Sequence, residues 1–217
     1  MRIAISIAGV SYEDGSKYRY RNYEDSVNEF NNNVIDYLKS QGNEVFTFIY
    51  TYQTDKCNDI INTYNEFTEA KFIDENNQFI PLGQTIQAVN IIAGLNEVLN
   101  WEFDYVIRAR FDQKFLNNPF TTYDWDFDKV NFLWREPSHE TLPLVNDTFF
   151  GFPYEWTRSI IESIKDSELN PHKGIRIALH NLHQPIIDRV GLENVKILDE
   201  RFVTAEMNKL YKLTRHA

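Results

Sequence analysis

Apolar positions along the first half of the chain switch repeatedly between two periods. Residues 2–8 alternate isoleucine with small or polar residues and stop at Gly9, which predicts a first strand running into a loop. Residues 24–41 place Val27, Phe30, Val34, Ile35 and Leu38 at helical spacing, and Gly42-Asn43 supplies a C-terminal stop. Residues 44–52 are β-branched and aromatic and predict a second strand. A helix is expected over 55–69, then a short strand over 70–73 and a break at Pro81-Leu82-Gly83. A longer helix over 84–100 carries Ile86, Val89, Ile92, Ala93, Leu95 and Leu99 on its apolar side, and a strand follows at 104–111. Beyond Asp112 the pattern loosens. A loop at 117–129 leads to a strand at 130–134, an extended segment at 144–152 and helices at 154–166 and 173–183. Pro185 limits the second of these helices, and a late strand covers 195–198.

Strand alternating with helix predicts an α/β fold with a mixed, mainly parallel sheet flanked by helices. At 217 residues, one domain over 1–217 is expected, a βαβ half over 1–112 and a more mixed half over 113–217. Apolar residues make up 42% of the chain, enough to fill a core, which excludes global disorder. A net charge of −10 with no basic patch to offset it argues against nucleic acid and anionic membrane as partners. Cys57 is the single cysteine, so no disulfide framework forms within the chain, and a structural thiol is expected. The N-terminal segment is too short for a signal peptide, and no apolar run reaches the length of a transmembrane span. A soluble, cytoplasmic protein is the expectation.

The candidate chemistry begins at the stretch Phe103-Asp104-Tyr105-Val106-Ile107-Arg108-Ala109-Arg110-Phe111-Asp112, an apolar strand that ends in two arginines and an aspartate. In an extended chain Arg108, Arg110 and Asp112 share one face. Ligands of open α/β sheets sit beyond the carboxyl ends of the strands. Those ends are Ala8-Gly9, Tyr52-Gln53-Thr54-Asp55 and Arg110-Phe111-Asp112. A carboxylate there can hold Mg²⁺ or Mn²⁺ against a diphosphate, and guanidinium groups can grip phosphate oxygens. The same three residues also make a structural ion pair. The loop after the first strand, Ser11 to Tyr23, is polar, aromatic and basic, and its stretch Ser16-Lys17-Tyr18-Arg19-Tyr20-Arg21 reads as either a phosphate clamp or a solvated loop. Thr54-Asp55 can bond a base or ribose, or cap the next helix. In Asn146-Asp147-Thr148-Phe149-Phe150-Gly151 an acid lies among apolar residues, which makes Asp147 a candidate general base or a turn-capping aspartate. His180 and His183 stand three apart and can meet one metal, though helical histidines are more often structural. Glycine-rich dinucleotide and P-loop motifs, the nucleophile elbow and His-Glu-x-x-His are all absent from the sequence.

The Asp104–Asp112 stretch, with a long helix before it and Asn146–Gly151 after it, resembles small GT-A glycosyltransferases. The nearest types are those of bacterial polysaccharide synthesis and of large DNA viruses of algae, including viral xylosyltransferase-like proteins. The resemblance implies a GT-A-like (Rossmann-like) fold. It implies a nucleotide-diphosphate sugar donor, a UDP-sugar such as UDP-xylose, and a glycan acceptor. By the same resemblance, 1–112 is the nucleotide-sugar half and 113–217 the acceptor half, in the cytoplasm of a cell or of an infected host. That family binds a divalent metal and the diphosphate through an Asp-x-Asp motif. Arg110-Phe111-Asp112 stands at that place, so Asp112 inherits Mn²⁺ or Mg²⁺, with His180 or His183 completing the shell. Asp147 inherits the catalytic base of an inverting transfer. Ala8, Gly9, Tyr12, Arg19, Thr54, Asp55, Arg108 and Arg110 line the donor. A nucleotidyltransferase and a non-catalytic carbohydrate-binding protein are the alternatives.

Overall fold

Every residue of the first strand after Arg2 is buried, on both faces alike, as in a sheet covered by helices on each side. The computed structural model describes residues 1–14, 20–74, 86–136, 144–169, 182–203 and 208–216. In chain order the elements are β1 (Arg2–Ala8), β2 (Tyr12–Asp14), β3 (Tyr20–Asn22), α1 (Val27–Phe30), α2 (Asp36–Ser40), β4 (Glu44–Tyr52), α3 (Cys57–Thr63), β5 (Phe67–Ile73) and α4 (Ile86–Val98). There follow β6 (Tyr105–Ala109), β7 (Gln113–Phe115), α5 (Pro119–Thr122), β8 (Val130–Glu136), β9 (Leu144–Val145) and β10 (Phe150–Pro153). The last are α6 (Thr157–Leu169), α7 (His183–Val190), β11 (Val195–Phe202), β12 (Tyr211–Leu213) and β13 (Arg215–His216).

The main sheet runs β11-β8-β10-β6-β1-β4-β5, with β9 attached to β8. β6, β1, β4 and β5 are parallel, and so are β8 and β11, whereas β10 lies antiparallel to both of its neighbours. This is the mixed, mainly parallel α/β sheet that the pattern predicts. Alternation along β1 divides the core. Ile3, Ile5 and Ile7 pack on one side with Val27, Phe30, Val34 and Leu38. Ala4 on the other side joins Ile91 and Leu95 of α4 and Ile160 and Ile164 of α6.

Several expectations need correction. The helix expected over 24–41 carries a π-turn, Asn31–Ile35, between α1 and α2. There the Asn31 side chain donates to Thr63 O at 2.9 Å and accepts from Asn65 N at 3.1 Å, tying α1 to the α3–β5 connection. The helix expected over 55–69 ends at Thr63. Glu66 takes φ 55°, and β5 starts at Phe67 because its backbone pairs with β4 instead. The central strand ends at Ala109, with Phe111 and Asp112 in a turn. Pro185 does not end a helix but sits in the first turn of α7, where its missing N–H costs nothing. Most of the helix expected over 173–183 lies outside the described residues.

Gly151 on β10 shows how tightly the sheet is covered. A Cβ there would meet Tyr105 Cε1 at 2.6 Å and Trp125 Cζ2 at 2.8 Å. Tyr105 cannot easily yield, because its hydroxyl accepts from Asn131 Nδ2 at 2.8 Å and Trp125 Nε1 at 3.2 Å and donates to Lys129 O at 3.1 Å. Gly151→Ala is therefore expected to destabilise the fold by about 1–3 kcal/mol. Calorimetry should show a Tm lowered by about 2–4 °C per kcal/mol in a chain of this size. An unchanged Tm would mean that the Tyr105 ring moves aside at no cost.

Candidate active site at the switch point of the sheet

Chain direction places the site. From β1 the chain steps outward to β4 and β5, then returns to the opposite side of β1 as β6. The crevice between the carboxyl ends of β1 and β6 is a topological switch point, where open α/β sheets bind ligands. Ala8 and Gly9 close β1 at this edge. Gly9 adopts φ 130°, a conformation that favours glycine, and donates to Tyr50 O at 3.1 Å. β10 enters at the same edge, since its first residue, Phe150, pairs with Arg108. Residues 146–149 therefore overhang the end of β6.

The turn after β6 is held from three sides. Ser26 Oγ donates to Phe111 O at 2.5 Å, Thr214 N to Asp112 O at 2.9 Å, and Arg110 N to Gln113 Oε1 at 3.0 Å. Within it, Arg110 grips Asp112 through a guanidinium fork, Nε to Oδ1 at 2.9 Å and Nη2 to Oδ2 at 2.7 Å. Both side chains are largely buried, 13% and 5% exposed. Arg110 and Asp112 thus come together as the shared-face reading expects, but through a turn rather than an extended strand.

Arg108 is fully buried on the α4 side of the sheet, since it alternates with Ile107 and Ala109 of the opposite core. Its Nη1 donates to the carbonyl of Thr148, while Nε and Nη2 have no hydrogen-bond partner among the described residues. Burial pulls its pKa down to about 10. The charges of Asp147 and then Asp112 oppose that fall, and Arg110 adds to it. Asp147 is itself buried, 3% exposed, and its Oδ2 accepts from Gln87 Nε2 at 3.2 Å. Gln87 stands in the first turn of α4, which begins at this edge of the sheet. Two carboxylates and two guanidinium groups therefore balance one another under the switch point.

A buried polar chain supports them. Gln113 Nε2 donates to Thr148 Oγ1 at 3.1 Å, and Thr148 Oγ1 donates to Asn146 Oδ1 at 3.0 Å. The Tyr211 hydroxyl lies 2.6 Å from Thr148 Oγ1 and accepts from Asn146 Nδ2 at 3.1 Å. Burial pushes the Tyr211 phenol up to about 12, so it remains a neutral donor and acceptor at ordinary pH. Sequence reasoning missed Gln87, Gln113 and Tyr211. Gln113 directly follows the charged trio and is legible in retrospect. Tyr211 reaches the site only through the pairing of β12 with β7, for which no local signal exists.

The other candidates divide. Tyr12 lies beside the same edge with Lys56 Nζ 5.9 Å from its ring centroid. Thr54 Oγ1 accepts from Lys56 N at 3.2 Å, and Thr54 N donates to Cys57 Sγ at 3.2 Å, so Thr54 shapes the turn into α3; Asp55 is exposed. Cys57 is buried and free, consistent with a structural thiol. Arg19 and His180 lie outside the described residues. His183 is buried at the start of α7, and its nearby charges are Arg135 and Glu200 rather than Asp112. Burial, then Arg135, holds its pKa below the usual imidazole value.

A divalent metal on Asp112 must be weighed against this geometry. Among the described residues, no three His, Cys, Asp or Glu side chains gather to hold an ion. Ligand count alone does not decide, because Mg²⁺ in nucleotide sites can rest on one carboxylate plus substrate phosphates. The Arg110 fork weighs against it. A dication on either Asp112 oxygen would sit about 4 Å from the guanidinium and be repelled by on the order of 8 kcal/mol at an effective dielectric of ~20. With Arg110 forked onto both of its oxygens, Asp112 fits the partner of a guanidinium better than a metal ligand.

No protein-family model and no curated protein matches the chain. Solved structures do resemble it. A nucleoside-diphosphate-sugar pyrophosphorylase from Vibrio cholerae RC9 is similar at a TM-score of 0.51 and 12% identity, over 94% of this chain and 93% of that one. A glycosyltransferase involved in the glycosylation of the major capsid of PBCV-1 is similar at a TM-score of 0.47 and 10% identity, over 92% of this chain and 82% of that one. The chain has a GT-A-like, Rossmann-type α/β fold. Among the described residues no helix is long and apolar enough to cross a membrane.

Proposed function

We propose that the protein is a glycosyltransferase that moves a sugar from a nucleotide-diphosphate donor to a hydroxyl of a glycan acceptor. The donor class is a UDP-sugar, with UDP-xylose one member. One observation carries the reading: a buried carboxylate, Asp147, lies beside two buried guanidinium groups at the switch point of a GT-A-like sheet. Such a crevice offers a base and anion-binding charge side by side. Residues 1–112 supply the donor side, with Ala8, Gly9 and Tyr12 at the end of β1 and Thr54-Asp55 beyond β4. Residues 113–217 supply the acceptor side.

In this reading Asp147 removes the proton of the acceptor hydroxyl, whose oxygen bonds to the anomeric carbon. The bond from that carbon to the diphosphate oxygen breaks, and its electron pair leaves with the diphosphate. One displacement inverts the anomeric centre, as when a carboxylate activates a nucleophile on the face opposite the leaving group. Gln87 orients the base, and Arg108 stands near it as buried positive charge. No step here is routed through the Mn²⁺ or Mg²⁺ that the family resemblance implies, because Arg110 already engages both oxygens of Asp112.

Nucleotidyl transfer is the second reading, favoured by the likeness to the pyrophosphorylase. A panel of nucleotide sugars in a thermal-shift assay should pick out one UDP-sugar, since a ligand raises Tm only as far as it binds the folded state. Product analysis with that donor and a glycan mixture should yield free UDP. Release of pyrophosphate would favour nucleotidyl transfer, and glycan binding with no response to any nucleotide sugar would favour a carbohydrate-binding protein.

A further inference from the structure

Three features of the charged turn belong together. Arg110 spends one edge of its guanidinium, Nε and Nη2, on both oxygens of Asp112. The pair is locked in place, since Arg110 N, Phe111 O and Asp112 O are all bonded to distant elements or to Gln113. Nη1 lies outside the fork, and the side chain keeps 13% of its surface exposed at the edge where ligands enter. A planar guanidinium held this way by a carboxylate presents its remaining donors in a fixed direction, which suits phosphate oxygens.

We propose that Arg110, oriented by Asp112, is the cation that meets the diphosphate of the donor, in the place where a carboxylate-bound metal would act. Asp112 is then a positioning residue and not a metal ligand. As the bond from the anomeric carbon to the diphosphate oxygen breaks, the charge that gathers on that oxygen is met by the Nη1 edge of Arg110, with Arg108 behind it as fixed buried charge. No proton moves at Arg110, and no ion is consumed. The inference rests on the glycosyl-transfer reading above and predicts metal-independent donor binding.

Calorimetric titration of UDP tests it on the full chain, in EDTA and in millimolar Mn²⁺. Wild type should bind UDP equally well in both. Arg110→Met should weaken UDP binding by about tenfold to a hundredfold, the worth of a charge-assisted contact, and Arg110→Lys should restore part of it. Electron paramagnetic resonance of Mn²⁺ alone supplies an independent arm: the ion should bind Arg110→Met at least about tenfold more tightly than wild type, because the fork no longer repels it. Should Arg110→Met fail to fold, Arg110→Met/Asp112→Asn removes both charges together and should still lose UDP. UDP binding that requires Mn²⁺ and ignores Arg110→Met overturns the inference and leaves glycosyl transfer standing. No UDP binding in either buffer overturns the nucleotide-sugar reading itself, and this inference with it.

Discussion

Replacing Asp147 with asparagine is expected to lower the rate of sugar transfer by about 10²–10⁴-fold, the usual contribution of a positioned general base. Asparagine keeps the shape and can still accept from Gln87 Nε2, now 3.2 Å from Asp147 Oδ2. It cannot take the acceptor proton. The loop should keep its anchors, because Asn146 and Thr148 tie it to Tyr211 and Gln113. The donor should bind within a few-fold of wild type, so the loss belongs in kcat rather than in KM. Steady-state release of UDP with the donor found by thermal shift measures it. Near-wild-type turnover in Asp147→Asn would remove Asp147 from the chemistry.

The second large effect concerns stability. Arg108→Met should destabilise the fold by about 3–5 kcal/mol, the usual result of removing one partner from a buried ionic group. Arg108 is fully buried, and the carboxylates of Asp147 and Asp112 both act on it. Without it Arg110 alone must balance two buried carboxylates. Methionine also loses the bond to the Thr148 carbonyl. Burial of the guanidinium has its own penalty, visible in its lowered pKa, and methionine relieves that part. The loss should therefore be partly recovered in Arg108→Met/Asp147→Asn, which removes one buried carboxylate along with the cation. Urea denaturation of both single variants and the double should give a coupling of about 0.5–3 kcal/mol, the range for residues in one network. Strict additivity would show that Arg108 and Asp147 do not sense each other.

Much of the frame was legible in the sequence. β1, β4, β6, β8 and β11 announce themselves because strands buried on one or both faces need apolar, β-branched residues in register. The carboxyl ends of β1, β4 and β6 follow from the order of elements, and the candidate residues cluster there. The failures have physical causes. The helix expected over 55–69 stops short because Phe67–Ile73 is only half-buried and its strand character comes from pairing with β4. The short strands β7 and β12 exist only because each supplies the other's hydrogen bonds across about a hundred residues.

Periodicity and element order in the sequence encode the layered α/β fold and bring Arg108, Arg110 and Asp112 to one sheet edge, whereas Asp147 joins them only through the antiparallel return of β10. Tertiary structure alone decided what each charge does. Arg108 became a buried counter-charge because β10 returns antiparallel beside β6 and brings the Thr148 carbonyl to its guanidinium. Asp112 became the partner of Arg110 because the strand gives way to a turn at Arg110, clamped by Ser26, Gln113 and Thr214. A charge in a sequence has no environment until the chain closes around it. Burial and partners set its strength and its role, and those come from segments far apart in the chain.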